Sequence, residues 1–192
     1  MAMAGGFHIK LLAVAKQSWA GRNMRRMLRD RSGATAVEFG MVVAPFLALV
    51  FAILQTAIVF FAGQALETAA ADSARLIMTG QAQTQGYDQT KFKQAVCARI
   101  YALFNCNGSL YVDVKSYTGW SSVNTSLPVD ASGNVQSATF GYQPGGPSDI
   151  VVMRLMYQWP VYVSLLGLNL ANSAGQQRLL MATVAFRNEP YM

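Results

Sequence analysis

The sequence of 192 residues has little of the chemistry that most enzymes use. Its only histidine is His8, near the start, and its only cysteines are Cys97 and Cys106. From residue 34 onward the sequence therefore excludes a Ser-His-Asp triad, a Cys-His dyad and a histidine-ligated metal site. Two thiols with no histidine nearby also argue against zinc. We expect no catalytic residue, no metal and no cofactor.

The acidic residues do not change this expectation. Carboxylate chemistry would have to use residues such as Asp113, Asp130, Asp149 and Glu189, and no two of these stand at a spacing typical of a catalytic pair. Beyond residue 33 the acids and bases balance, as they do on a solvated surface. We therefore expect that the protein is not an enzyme.

Charge is also missing from a long stretch, which runs from Phe39 to Leu66. This stretch exceeds the roughly 20 apolar residues that cross a bilayer. We predict a transmembrane helix over residues 34–63, with Pro45 bending or loosening it within the membrane. The alternatives are a core helix of a soluble protein, which rarely stays apolar on every face, and a secretory signal peptide, whose apolar core is much shorter.

The net charge of +6 belongs to the segment that precedes this helix. A basic cluster beside a membrane span marks the cytoplasmic side. We therefore expect residues 1–33 to be a cytoplasmic leader and residues 64–192 to be a periplasmic or extracellular domain. A basic patch can also bind nucleic acid, but the position of this one beside the span argues against that. The charged residues of the leader are Lys10, Lys16, Arg22, Arg25, Arg26, Arg29, Asp30 and Arg31.

Glu38 stands at the mouth of the apolar run, where an ionised side chain is costly unless it has a partner. The residues around it, Gly33-Ala34-Thr35-Ala36-Val37-Glu38-Phe39, resemble a type IVb prepilin processing site. The run from Arg31 to Ile53 and the tail Ala185–Tyr191 resemble the TadE-like minor pilins (pseudopilins) of the tight-adherence pilus. The large outer part favours a minor component, because the major pilins of that system are much shorter.

The resemblance implies that a prepilin peptidase cuts after Gly33, so that Ala34 becomes the N-terminus, Glu38 the fifth residue and Phe39 the sixth. It implies as partners this peptidase, the inner-membrane assembly platform, other major and minor pilins and membrane lipid, and no nucleic acid. The implied location is the bacterial inner membrane, and the implied role is assembly of a pilus for adhesion and biofilm formation. The leader is long for this class, and the candidate start residues are Met1, Met24 and Met27.

Under this interpretation Glu38 gains a partner. Cleavage creates an α-ammonium group at Ala34, and Glu38 of a neighbouring subunit can neutralise it where helices pack in a low dielectric. Such a pair favours one axial offset between subunits. The alternative is that Glu38 only reaches the membrane interface. A second hypothesis for the whole chain is an uncleaved, single-pass anchored domain that acts in the envelope as a binding module.

Beyond the membrane the alanine-rich sequence predicts that the helix continues to Met78 and stops near Gly80. A second helix fits Gln89–Phe104, with Asp88 as its cap. Its apolar face is core rather than a ligand site. The residues of that face are Phe92, Val96, Ile100, Leu103 and Phe104.

Cys97 and Cys106 lie on the predicted outer side, where oxidising conditions allow a disulfide. Nine residues of continuous helix would separate them by about 13.5 Å, whereas a bridge needs Cα atoms within roughly 7 Å. The helix must therefore end before Cys106, where Asn105, Asn107 and Gly108 can break it. Free thiols are the alternative.

The rest of the sequence predicts strands. Alternation of apolar and polar residues over Leu110–Lys115 predicts a half-buried strand. Asp149–Val163 predicts a second, more apolar strand, which Pro160 interrupts or places at an edge of the sheet. Leu179–Phe186 predicts a third strand. Thr118–Ser148 predicts a long exposed loop with a hairpin near Gly133. The expected fold is α+β: a long N-terminal transmembrane helix that continues into a pilin-like domain with a second helix and a small antiparallel sheet of about three strands.

Overall fold

A computed structural model describes residues 32–100, 104–124, 126–131, 133–162 and 169–191. The chain divides into two compact units, one ending at Leu49 and one starting at Val50. The predicted leader, apart from Ser32 and Gly33, and its candidate start residues lie outside the described residues, as does Leu103.

The helix α1, Ser32–Met78, contains 47 residues. It runs without a break through Pro45; the bend that we expect there stays a prediction. Its end is confirmed near Gly80, which adopts a left-handed conformation with φ of 75° and donates its N–H to the Ile77 carbonyl at 3.0 Å. A left-handed residue after the last turn closes a helix, and glycine adopts it without a steric penalty.

Two short helices follow, α2 at Gln81–Thr84 and α3 at Gln89–Cys97. The cap at Asp88 is confirmed, because its Oδ1 accepts a hydrogen bond from the Lys91 N–H at 2.7 Å. The predicted helix end at Phe104 is wrong. The N–H of Arg99 bonds to the carbonyl of Val96, three residues back, so the helix tightens and ends just after Cys97.

The disulfide between Cys97 and Cys106 is confirmed, with the Cα atoms 6.0 Å apart. This distance is less than half of the about 13.5 Å that a continuous helix would impose, so the chain turns back between the two cysteines. Phe92 and Val96 are buried on α3, and Ile100 is buried just beyond it. A helical turn, α4 at Cys106–Ser109, leads directly into the sheet.

The predicted α+β fold is confirmed. Three strands form an antiparallel sheet in the order β1-β2-β3, with β1 at Leu110–Tyr117, β2 at Ile150–Pro160 and β3 at Gln177–Arg187. Pro160 ends the central strand and does not mark an edge strand, because Pro160 itself stands opposite Gln177 in the pairing of β2 with β3.

One face of the sheet packs against α1 and α3. Alternate residues of each strand point toward the helices, as the pleat requires. These residues share one apolar core with the small and branched side chains of α1 beyond residue 58. The buried core includes Val59, Ala62, Leu66, Ala70, Ile77, Phe92, Val96, Val112, Val114, Met153, Leu155 and Leu180.

The prediction that Thr118–Ser148 is simply exposed is wrong in part. Met156 is fully buried although its neighbours Leu155 and Tyr157 point toward the helices, so the segment between β1 and β2 covers the second face of the sheet. Tyr142 in this segment pairs with Val114 of β1 as a parallel bridge.

The predicted hairpin within this segment is confirmed. Val129 and Val135 form an antiparallel bridge, and Gly133 between them has a φ of 77°.

Candidate functional site

The residues of the predicted processing site lie in the first two turns of α1 and are exposed. Phe39 is 69% exposed, and a Cβ placed on Gly33 would meet no atom within 4 Å. The structure therefore brings Gly33, Ala34, Glu38 and Phe39 together on one accessible helical segment. Ala34 and Glu38 are four residues apart and so lie on the same side of the helix.

The apolar side chains of α1 remain largely uncovered through its first thirty residues. Within the described part of the chain, α1 is the one helix long and apolar enough to cross a membrane. Such an exposed surface is costly in water and favourable in lipid, so it suits α1 to membrane anchoring. Its exposed large residues are Val37, Phe39, Met41, Val42, Phe46, Leu47, Leu49, Phe51, Ile53, Leu54, Ile58, Phe60 and Phe61.

Two polar residues interrupt this apolar surface. Thr56 donates its hydroxyl to the Ala52 carbonyl at 2.8 Å, which satisfies it within the helix. The side-chain amide of Gln55 is buried and has no hydrogen-bond partner among the residues that the structure describes.

The tail residues that carry part of the resemblance meet the end of α1. Glu189 donates its N–H to the Met78 carbonyl at 2.9 Å, which satisfies a carbonyl that the helix itself leaves unpaired. The ring of Tyr191 lies against Gly80 so closely that a Cβ at Gly80 would stand 2.7 Å from its Cδ2 atom. We call Met78, Gly80, Glu189 and Tyr191 the terminal clamp.

Side-chain amides extend the terminal clamp to the loop before β2. Asn188, which is 3% exposed, donates to the carbonyls of Pro144 and Gly146 at 2.9 Å each. Gln83 donates to the Pro144 carbonyl at 3.1 Å and also to Ile77 at the end of α1. Because buried amides must find partners, these contacts fix the loop, the tail and the helix end together.

The second face of the sheet contains a buried ion pair. Asp113 is 1% exposed, and its Oδ2 lies 3.8 Å from Nη1 of Arg154. Asp113 also accepts the N–H of Gly141 at 3.1 Å, and Arg154 donates to the Asn124 carbonyl. The alternation of β1 predicts Asp113 on a solvated face, and the covering segment is the reason why it is buried instead.

Tyr142 ties the covering segment to α3. Its ring lies 5.3 Å from that of Phe92, between ring centres. Burial, and to a lesser extent Tyr87 and Asp88, raises the pKa of the Tyr142 phenol to about 12. The phenol is therefore neutral at physiological pH and acts as a packing group.

A groove of about 590 Å³ lies between α3 and the start of β1, next to the disulfide. Its walls carry neutral polar groups such as Gln94 and Ser137, two aromatic rings, Tyr111 and Phe140, and the cation Lys93. Val112 also lines the groove, and its carbonyl already accepts a hydrogen bond from the Gln89 side chain at 3.0 Å.

Sequence reasoning missed the terminal clamp and the buried ion pair. One signal for the ion pair was available, because Arg154 interrupts the otherwise apolar strand β2 and a charge in a buried strand needs a partner. For the terminal clamp the available signal was Gly80, which marks the helix end. It does not indicate the partner, because Tyr191 lies at the far end of the outer domain in sequence.

Together the fold and this site define an α+β protein with an accessible N-terminal helical segment, on a helix that is long and apolar enough to anchor it in a membrane. The family model described as TadE-like protein matches residues 33–75, which confirms the resemblance over that segment. No curated protein and no solved structure matches the chain.

Proposed function

We propose that the protein is a minor pilin, or pseudopilin, of a tight-adherence type IVb pilus, and that a prepilin peptidase processes it after Gly33. The observation that carries the proposal is the overlap of the TadE-like match, residues 33–75, with an exposed helical segment that holds the whole processing motif. The exposed apolar surface of α1 supports insertion into the membrane before cleavage and packing against other pilins after it.

In this mechanism the peptidase releases a charged amine at Ala34 that lies close to hydrocarbon. Glu38 is exposed and makes no salt bridge among the described residues. Its carboxylate is therefore available to a neighbouring subunit, and pairing with the new ammonium group offsets the cost of holding either charge in low dielectric. The pair biases each subunit toward one axial position in the assembly.

The protein is placed in the bacterial inner membrane with one crossing. The leader faces the cytoplasm, the domain from residue 64 onward lies in the periplasm, and the processed protein contributes to adhesion and biofilm formation as part of the pilus machinery. Its partners are the prepilin peptidase, the inner-membrane assembly platform, the other pilins and membrane lipid. Its role is structural and not catalytic.

N-terminal sequencing and intact mass of the full-length protein, co-expressed with and without the peptidase, test the proposal. The expected product starts at Ala34 and lacks the 33-residue leader. An unchanged mass in the presence of an active peptidase would refute processing and favour the uncleaved, envelope-anchored binding domain.

Two glycine variants sharpen this experiment. A Cβ at Gly33 or at Gly40 meets no atom within 4 Å, so neither substitution is sterically blocked. Gly33→Leu should abolish cleavage because the peptidase reads this position, whereas Gly40→Leu should be cleaved normally. Equal processing of both variants would show that Gly33 is not the recognised residue.

A further inference from the structure

We infer that the cavity between α1 and the start of β3 binds the headgroup of phosphatidylethanolamine, taken from the membrane leaflet on the side of the outer domain. This lipid site rests on membrane insertion of α1 in the proposed function, and it adds a selectivity of its own. Three features of the cavity point to this ligand. Two opposite charges line it without meeting, a glycine leaves it open, and it lies at the end of the apolar run.

The cavity has a volume of about 230 Å³. One wall is a single stripe of α1, whose residues follow one another three or four positions apart. The residues of this stripe are Thr56, Phe60, Gly63 and Glu67. The other wall is the start of β3, which contributes Arg178. At about 30 Å³ for each water the cavity holds about eight waters, and a phosphoethanolamine group has about eight non-hydrogen atoms.

The two opposite charges of the cavity do not neutralise each other. Among the described residues neither Glu67 nor Arg178 forms a salt bridge. The carboxylate accepts one hydrogen bond from the Gln64 side chain, at 3.2 Å. The guanidinium donates one from Nη1 to the Leu170 carbonyl, at 3.1 Å. Both groups keep further hydrogen-bonding capacity, and a ligand with one phosphate and one ammonium group uses both, because arginine pairs with phosphate and a carboxylate with ammonium.

Gly63 keeps the cavity open. It lies in the interior of α1, where glycine is less favourable than alanine. A Cβ placed there would meet no atom within 4 Å, so the space beside it is the cavity itself. The helix therefore tolerates a larger residue at this position, and such a residue would fill the space that a ligand needs.

The cavity lies where α1 leaves the membrane. Glu67 is the first charged residue after the uncharged stretch from Phe39 to Leu66. As a helix this stretch is about 42 Å long. That length exceeds the hydrocarbon core of about 30 Å and matches the about 40 to 45 Å of a bilayer with its headgroups, so Glu67 stands at headgroup level. Phe60, which lines the cavity and is 68% exposed, continues into the apolar surface of α1.

The order of the two charges fits a phospholipid. Glu189, just after β3, bonds to Met78 at the end of α1, so β3 runs in the direction of the helix and starts at the end nearer the membrane. Arg178 stands at that inner end, whereas Glu67 is the outermost residue of the helical stripe. In phosphatidylethanolamine the phosphate follows the acyl chains and the ammonium group follows the phosphate. Phosphatidylcholine has the same order, but its methylated nitrogen has no N–H to donate to Glu67.

The test uses the full-length protein in phosphatidylcholine vesicles, with a fluorophore on one added cysteine and the native disulfide left intact. Ala57→Cys reports on the cavity, because Ala57 is exposed and lies three residues before Phe60. Ile58→Cys is the matched control, because Ile58 is exposed at nearly the same depth but on the opposite side of the helix from Thr56. A small fraction of phosphatidylethanolamine, phosphatidylcholine or phosphatidylglycerol carries a nitroxide near the top of one acyl chain.

The phosphatidylethanolamine nitroxide should quench the Ala57 label several-fold more than the phosphatidylcholine nitroxide, and both should quench the Ile58 label equally. Glu67→Gln should abolish this preference because it removes the partner of the ammonium group. Gly63→Leu should abolish it because it fills the cavity. Gly40→Leu, which also adds a leucine to α1 where a Cβ meets no atom within 4 Å, should keep the preference.

Equal quenching of the Ala57 label by both lipids, or a preference that survives Gly63→Leu, would overturn this site and leave the proposed function standing. A stronger response to phosphatidylglycerol would also overturn it, because Arg178 alone would then attract an anionic lipid. Free glycerophosphoethanolamine, at the concentration of the labelled lipid, should leave the preference unchanged; its loss would mean that the cavity binds a soluble molecule. Failure of every nitroxide lipid to quench the Ile58 label would overturn membrane insertion, and with it both proposals.

Discussion

The terminal clamp makes a quantitative prediction for the substitution Gly80→Ala. Gly80 has a φ of 75°, and an alanine in a left-handed conformation costs about 1 to 2 kcal/mol. The added Cβ would also collide with the ring of Tyr191, and overpacking of this kind costs about 1 to 3 kcal/mol. The free energy of unfolding should therefore fall by about 2 to 5 kcal/mol.

Gly86 supplies the matched control. Its φ is 61°, and a Cβ there would meet no atom within 4 Å. Gly86→Ala should therefore cost only the backbone term of about 1 to 2 kcal/mol. The difference between the two variants isolates the contact between Gly80 and Tyr191.

A double-mutant cycle completes the experiment. With Tyr191→Ala already present, Gly80→Ala should cost no more than Gly86→Ala, since the ring is gone. Urea unfolding of the full-length protein in detergent micelles, followed by fluorescence of the buried Trp159, measures each free energy. Equal costs for Gly80→Ala and Gly86→Ala in the otherwise native chain, or strict additivity with Tyr191→Ala, would refute the clamp.

Three further predictions concern other contacts. Glu38→Ala should be cleaved normally but recruited poorly into sheared pili, with Glu38→Asp as the control; normal recruitment would leave Glu38 as an interfacial residue only. Replacing Cys97 and Cys106 by serine should lower the free energy of unfolding by about 2 to 3 kcal/mol. A reductant should destabilise the native chain but not this serine variant. If the reductant lowered the stability of both proteins equally, a structural disulfide would be contradicted. Asp113→Ala should cost about 3 to 5 kcal/mol because it leaves Arg154 buried and unpaired, whereas adding Arg154→Met should recover much of that loss; no recovery would mean that the pair is not coupled.

Local signals in the sequence predicted much of the fold. The cap at Asp88, the helix end near Gly80 and the disulfide between Cys97 and Cys106 each follow from residues close together in the chain, where helix geometry sets strict distances. The three strands follow from apolar patterns that match the pleat.

The errors have two different causes. Asp113 alternates as a surface residue should, and only the covering segment between β1 and β2 makes it a buried partner of Arg154. Phe104 continues an apolar helical stripe, but α3 already ends at Cys97, where the N–H of Arg99 bonds to the carbonyl of Val96. For Asp113 a tertiary contact overrides a sound local pattern, and for Phe104 the apolar spacing continues past the end of the helix that it predicts.

The processing segment is the reverse case. Gly33, Glu38 and Phe39 are close together in sequence and lie on one exposed helix. The sequence alone was therefore sufficient to identify the residues of the candidate site. What the peptidase and the neighbouring subunits do with them depends on other molecules, and it is therefore a proposal to be tested by mass and by recruitment.

The terminal clamp also sets the order of events during synthesis. Met78 and Gly80 are made early, whereas their partners Glu189 and Tyr191 are made only after nearly all of the remaining chain. Contacts between such distant residues form late and slow the folding of a domain. The end of α1 therefore stays open until the tail is made, and a chain that stops before Glu189 would leave the Met78 carbonyl without its partner and Gly80 uncovered.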